Sequence, residues 1–132
     1  MHPSDEDFEE LVLEQERSVL SRLPEDLRVE ASRVLVEVRT RPSRRERKEF
    51  GLGRDQTLLG LFVGVPLVER HADTVLLQPD RIVLYREPLQ SLASGPGELR
   101  HKIQETLVHE LAHYFGRTDE ELASRLSGAD GI

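Results

Sequence analysis

The segment from residue 97 to residue 115 constrains the fold more than any other part of the chain. Its apolar residues at positions 107, 108, 111, 112 and 115 cover most of the circumference of one predicted helix. Such a helix belongs in the centre of a core rather than on its surface. Gly95, Pro96 and Gly97 precede the helical run, and Gly116 occupies the position that typically ends a helix.

Two histidines lie on this otherwise apolar helix. His109 and His113 are four residues apart, so their side chains share one face, about 5 to 6 Å from each other. Tetrahedral zinc accepts such a pair of imidazoles. Glu110 points toward the same cleft, where it reaches a water on the metal without occupying a coordination position, as a general base does.

A third ligand is expected after the helix. Gly116 allows the left-handed backbone that ends the helix, and the reversed chain carries Asp119 back toward the two imidazoles. A fourth position left open for water distinguishes a catalytic zinc from a structural one. The alternative is that Asp119 only starts the last helix, because Thr118 and Glu121 have the spacing of a capping box.

The N-terminal part of the chain predicts helices. Residues at helical spacing indicate a first helix with Ser4 as a possible cap, and the acidic first turn suits its dipole. These residues are Phe8, Leu11, Val12, Gln15 and Val19. Pro24 begins either a second short helix or a kinked continuation of the first.

The middle of the chain predicts strands. "RVLVEVRTRP" alternates apolar and polar residues and is stopped by Pro42, and "TLLGLFVGVPLVER" with "DTVLLQPDRIVLYREP" indicates two to four further strands. Between them, Ser43 and Glu46 predict a capped short helix over residues 44 to 50, ending at Gly51. We therefore expect one α+β domain over residues 1–132, with an N-terminal helical segment to about residue 31 and a core over about 32–127.

The segment from Arg39 to Arg54 contains seven basic residues and only two acidic ones. It is either a solvated turn and helix, the commoner role of such runs, or a docking surface. In the second case its partner would be an acidic molecule or the acidic N-terminal helix. We favour the solvated turn and helix from the sequence.

Charge and composition exclude several classes of function. A net charge of −7 argues against nucleic-acid binding, which depends on Lys and Arg neutralising phosphates. No apolar run reaches the roughly 18 residues of a membrane span, and the acidic first 25 residues do not resemble a secretory signal. The chain lacks cysteine, so a metal must be held by His, Asp or Glu. We expect a cytoplasmic protein without a membrane partner.

The motif "HELAHYFGRTD" resembles the zincin metallopeptidase pattern in which aspartate is the third ligand. More closely, "LLGLFVGVPL", "PDRIVLYREPL" and "TLVHELAHYFGRTDEEL", in that order, resemble a small bacterial zincin-like family over about residues 20–127. The resemblance implies zinc on His109, His113 and Asp119, with Glu110 as base and proton shuttle. It also implies a small mixed sheet packed on the active-site helix, with a peptide or protein substrate extended along an edge strand. Both "TLLGLFVG" and "RIVLYRE" are candidates for that edge.

The sequence departs from the larger metzincin pattern because its only methionine is Met1, so no methionine turn can lie beneath the zinc. Leu122, Leu126 or a tyrosine is available for that position. The side chains available to stabilise an oxyanion are Tyr85, Tyr114, His71 and His101. For the tyrosines we favour half-buried packing with a hydrated hydroxyl, and for the histidines a surface position.

The function expected from the sequence is a zinc-dependent metallopeptidase, acting as a monomer or a weak homodimer. Metal-dependent ribonucleases carry a loosely similar histidine signature, but Glu110, Asp119 and the acidic balance argue against RNA. The non-enzyme alternative is a binding or regulatory module that keeps the zincin scaffold and binds metal weakly or not at all.

Overall fold

The computed structural model describes residues 5–70 and 79–127. Helices and strands alternate irregularly in this part of the chain, which is characteristic of an α+β domain. In chain order, the elements are α1 (Asp5–Arg22), α2 (Glu25–Ala31), β1 (Leu35–Arg39), α3 (Arg44–Glu49), β2 (Gly60–Val63), a 3-10 helix (Leu67–Glu69), β3 (Arg81–Tyr85), α4 (Arg86–Leu92), α5 (Pro96–Phe115) and α6 (Asp119–Ala123).

The N-terminal helix α1 packs against α5 through the face that its spacing predicts. Phe8, Val12 and Val19 are buried in the common core, and Gln15 accepts a hydrogen bond from Gln104 Nε2 at 3.1 Å. This pairing satisfies two polar groups that would otherwise be buried without a partner. The expected cap, Ser4, lies outside the described residues.

After α1, the chain starts a new helix rather than continuing through a kink. Pro24 is the N-terminal cap residue of α2, with φ −56° and ψ 153°, and these angles separate the two helices. Proline suits this position because its missing N–H leaves no helical hydrogen bond unmade.

The three strands form a small mixed sheet in the order β1-β3-β2, which confirms the expected sheet type. β1 pairs with β3 in parallel, and β2 pairs with β3 antiparallel. The suggestion that "RIVLYRE" is an edge strand is wrong, because β3 is paired on both sides and the chain turns into α4 at Arg86. Within residues 5–70 and 79–127, β2 pairs only with β3, so of the two candidates only the segment containing β2 has a free edge.

The long helix α5 lies at the centre of the core, as its apolar circumference predicts. It begins at Pro96 and is capped by Gly116, whose φ of 66° is in the left-handed region. Leu99, Ile103 and Leu107 are buried with residues of β3, including Ile82. The sheet and α1 therefore hold the helix that carries the histidines.

The short helix α3 has the capping box that the sequence predicts, with Ser43 and Glu46 bonding each other's backbone N–H groups. The second carboxylate oxygen of Glu46 accepts a hydrogen bond of 2.7 Å from the Tyr85 hydroxyl. Burial tends to raise the pKa of Glu46, but the hydrogen bonds from Ser43 and Tyr85 outweigh it and lower that pKa. The expectation of a half-buried Tyr85 with a hydrated hydroxyl is wrong, since the residue is fully buried and bonded to α3.

Among the described helices, none combines the length and apolar character needed to cross a membrane.

Candidate metal centre

The two histidines lie on one exposed face near the end of α5. Their ring centroids are 4.6 Å apart, and the side chains are 48% exposed for His109 and 53% exposed for His113. All other residues of α5 from Thr106 to Phe115 are buried, so the exposed imidazoles are an exception that core packing does not explain. Both line an open cleft with a volume of about 610 Å³.

Glu110 is buried between the two imidazoles, with an exposure of only 5%. Its Oε1 atom accepts a 3.0 Å hydrogen bond from the backbone N–H of Phe62 in β2 and lies 3.2 Å from His113 Nδ1. Its Oε2 atom is 3.8 Å from His109 Nε2. Burial raises the pKa of Glu110, while the two histidines and the Phe62 N–H oppose that rise. A carboxylate in such surroundings is better suited to exchanging a proton than one in water.

Asp119 lies beside His109, because the left-handed Gly116 reverses the chain after α5. Its two carboxylate oxygens are 2.8 and 3.0 Å from His109 Nδ1. This hydrogen bond is the main reason that the pKa of His109 is raised, against the opposing effect of burial. The capping box at the start of α6 is formed by Thr118 and Glu121, so the cap does not require the Asp119 carboxylate.

The donor set suits one divalent metal ion. One possible ligand atom each of His109, Glu110 and His113 lies within 4.8 Å of the other two. Imidazole nitrogens and carboxylate oxygens are common zinc ligands. Asp119 is not in this group, and its carboxylate contacts Nδ1 of His109. A carboxylate at that nitrogen is the usual outer partner of a metal-binding histidine, so the role of Asp119 as a direct ligand stays a prediction.

The cleft lies between α5 and the edge of β2 that faces away from β3. The Tyr85 N–H bonds the Leu59 carbonyl, so the backbone groups of alternate residues, Gly60 and Phe62, point away from β3. The Phe62 N–H confirms this direction, because it donates a hydrogen bond to Glu110 on α5. An unpaired strand edge offers main-chain hydrogen bonds to an extended peptide.

The side chains considered for stabilising an oxyanion lie away from the cleft wherever the structure describes them. The Tyr114 hydroxyl lies 3.4 Å from Glu30 on α2, and the residue is buried, not half-buried as expected. His101 is exposed and lies 3.7 Å from Glu105. His71 lies outside the described residues. Tyr85, Tyr114 and His101 do not line the cleft.

Leu122 and Leu126 are buried in the core. They stay candidates for the position that a methionine turn occupies in metzincins.

Two contributors to the site were missed from the sequence. The Phe62 N–H is a backbone group, so the type of residue at position 62 does not predict that it donates to Glu110. Gly60 had a weak signal, since an isolated glycine in a strand pattern often marks a close approach of another element. A Cβ atom at Gly60 would lie 2.6 Å from Thr106 Cγ2 on α5.

Gly60→Ala is expected to lower the free energy of unfolding by about 1–3 kcal/mol, because the added methyl group overpacks the contact between β2 and α5. It should also weaken any activity that depends on the bond from Phe62 to Glu110. Urea unfolding measures the first effect. Thr106→Ser removes the nearest of the three atoms that a new Cβ meets, so Gly60→Ala/Thr106→Ser should recover part of the loss, while the contacts with the Val83 carbonyl at 3.2 Å and Leu84 Cδ2 at 3.3 Å remain. A double variant as unstable as Gly60→Ala would contradict this explanation.

Comparison with known protein families bears directly on this geometry. Residues 31–129 match the model of the zincin-like metallopeptidases. The chain belongs to this family. The match spans β1 to α6 and includes all four residues of the candidate site. A search of curated proteins found no match.

Proposed function

We propose that this zincin-like protein is a zinc-dependent peptidase, with zinc held by His109, His113 and Asp119. The observation that carries the proposal is the position of Glu110. Its buried carboxylate lies between two exposed imidazoles and the free edge of a strand, at an open cleft. A purely structural carboxylate needs no such access to a cleft. The membership of the family supports a peptide as the substrate.

When bound, zinc would supply Lewis-acid polarisation of the scissile carbonyl and make water a stronger nucleophile near neutral pH. Glu110 then has two tasks. It takes the proton from the attacking water, and it returns a proton to the leaving amine as the peptide bond breaks. The Phe62 N–H positions the Glu110 carboxylate through Oε1. The outward backbone groups of β2 orient the extended peptide beside it.

The test starts with protein purified without a chelating column and then reconstituted with zinc. Elemental analysis should find one zinc per chain, and a peptide library should yield cleavage products that a chelator abolishes. Zinc without cleavage of any peptide would favour the non-catalytic module. Failure to retain zinc would contradict the metal assignment. A cytoplasmic location and a monomer or weak homodimer stay predictions.

Asp119→Ala is expected to weaken zinc binding by more than the roughly 10–100-fold observed when an outer partner of a metal ligand is removed, because Asp119 is proposed as a direct ligand. Competition with a chromophoric chelator measures the change. Glu120→Ala is the matched control, since it removes an exposed acid from the same helical turn. An unchanged zinc affinity in Asp119→Ala would show that Asp119 has no role in zinc binding and is only the first residue of α6.

A further inference from the structure

We propose that a basic surface beside the cleft binds an acidic segment of the polypeptide substrate. This basic α3 surface consists of Arg44, Arg45 and Lys48 on α3 and Arg54 in the following loop. The inference rests on the proposed function only in taking a polypeptide as the ligand. It adds a substrate class to the site, namely polypeptides in which acidic residues lie next to the stretch that enters the cleft.

The charge of the chain is distributed very unevenly. Residues 39–54 contain seven basic and two acidic residues, a net charge of +5, while the rest contains 11 basic and 23 acidic residues, a net charge of −12. A concentrated charge of opposite sign to the rest of the protein steers oppositely charged ligands to one place. The basic α3 surface is therefore where an acidic ligand is attracted rather than repelled.

Only some of these basic side chains form hydrogen bonds or ion pairs within the chain. Arg39 pairs with Glu37 and Glu46, Arg41 pairs with Glu87, and Arg47 donates to the Gly53 carbonyl. The four cations of the basic α3 surface are exposed, and their side chains have no polar partner in residues 5–70 and 79–127. Three of the four are arginines, whose guanidinium groups bind carboxylates in a bidentate manner.

The orientation of α3 directs these cations outward. Glu46 faces the sheet, where it accepts the hydrogen bond from Tyr85. Arg44 and Lys48 are two residues before and after it, and two residues correspond to about 200° around a helix. Both therefore lie on the side of α3 opposite the sheet.

The basic α3 surface is joined to the cleft by a short, internally bonded loop. Phe50 directly follows α3, is 48% exposed and lines the cleft with Thr57 and Leu58. Arg47 of α3 donates to the Gly53 carbonyl in the loop, and Gln56 accepts a 2.8 Å hydrogen bond from the Gly53 N–H. These contacts connect the basic surface to the wall of the cleft.

Charge and chemistry favour an acidic polypeptide over other anions. The acidic helix α1 of the same chain does not supply the partner, because within residues 5–70 and 79–127 no carboxylate of α1 pairs with the four cations, and Asp5 and Glu14 pair instead with Arg86 and Arg100. A nucleic acid long enough to extend past the surface would meet the net negative charge of the remaining chain. A polypeptide combines carboxylates for the arginines with apolar side chains for Phe50.

The test measures binding by fluorescence anisotropy to the 132-residue chain carrying Glu110→Gln, so that the peptides stay intact. Two labelled peptides share an apolar centre and differ in one flank, a run of glutamates in one and of glutamines in the other. The acidic peptide should bind about tenfold more tightly at roughly 50 mM salt and lose most of this advantage at about 200 mM. Arg44→Glu/Lys48→Glu should abolish the preference.

The matched control is Arg28→Glu/Arg125→Glu, which changes the net charge equally at two exposed positions that do not line the cleft. Arg45→Glu/Arg54→Glu tests the other half of the surface, should Arg44→Glu/Lys48→Glu fail to fold. Equal binding of the two peptides, binding of neither, or an equal loss in the control would overturn the inference. So would tighter binding of a DNA oligonucleotide than of the acidic peptide.

These outcomes separate the inference from the proposed function. A preference for the acidic peptide that requires Arg44 and Lys48 supports docking even if the wild-type chain cleaves nothing. Conversely, zinc-dependent cleavage with no such preference would leave the peptidase assignment intact and overturn the acidic docking surface.

Discussion

Glu110→Gln is expected to leave zinc binding intact and reduce peptide hydrolysis by about 10²–10⁴-fold, the usual contribution of general acid–base catalysis. The substitution keeps the size of the side chain and an oxygen that can accept the hydrogen bond from the Phe62 N–H. It removes the capacity to take a proton from water near neutral pH. Zinc content, circular dichroism and the rate of peptide cleavage together measure the outcome.

Glu105→Gln provides a matched control for this change. Glu105 is on the same helix and lines the same cleft, but its side chain is 48% exposed and pairs with Lys102. Its replacement should leave the rate within about twofold, because exposed ion pairs contribute little. If Glu110→Gln retained wild-type hydrolysis, the general base would have to be another residue.

His113→Ala is expected to lower the affinity for zinc by more than the roughly 10–100-fold that follows removal of an outer partner, because the substitution deletes a proposed direct ligand. The loss should also appear in stability. Zinc that binds only the folded state raises the unfolding temperature, so its addition should stabilise the wild type but not the variant. Elemental analysis and thermal unfolding with and without zinc measure these effects.

His101→Ala is the control for His113→Ala, since His101 is an exposed histidine on the same helix that does not line the cleft. It should retain one zinc per chain. Equal zinc contents in wild type and His113→Ala would place the metal elsewhere.

The helix that carries the site was predictable because the information is local. Apolar residues at helical spacing, a terminal glycine and two histidines four residues apart depend only on near neighbours in the chain. The structure accordingly has α5 within one residue of the predicted start, with Gly116 in the left-handed conformation. The capping boxes at Ser43 and Thr118 were predictable for the same reason, since each is made between residues three apart.

The strand that borders the site was not predictable, because strand order depends on pairing between distant segments. Both "TLLGLFVG" and "RIVLYRE" have the composition of strands, and only the pairing of β3 with β1 and β2 shows which one has a free edge. The helix α4 was also missed. Arg86 directly follows the apolar strand β3, and the composition of the segment masks the change from strand to helix.

Sequence alone therefore determined the family pattern, the candidate metal donors His109 and His113, and the central helix on which they lie. These features depend on residues that are close together in the chain. Tertiary structure decided what surrounds them. It buried Glu110 against the Phe62 N–H and turned the basic side of α3 outward next to the cleft. Each of these is a contact or an exposure set by packing between separate elements, and no local pattern of residues encodes it.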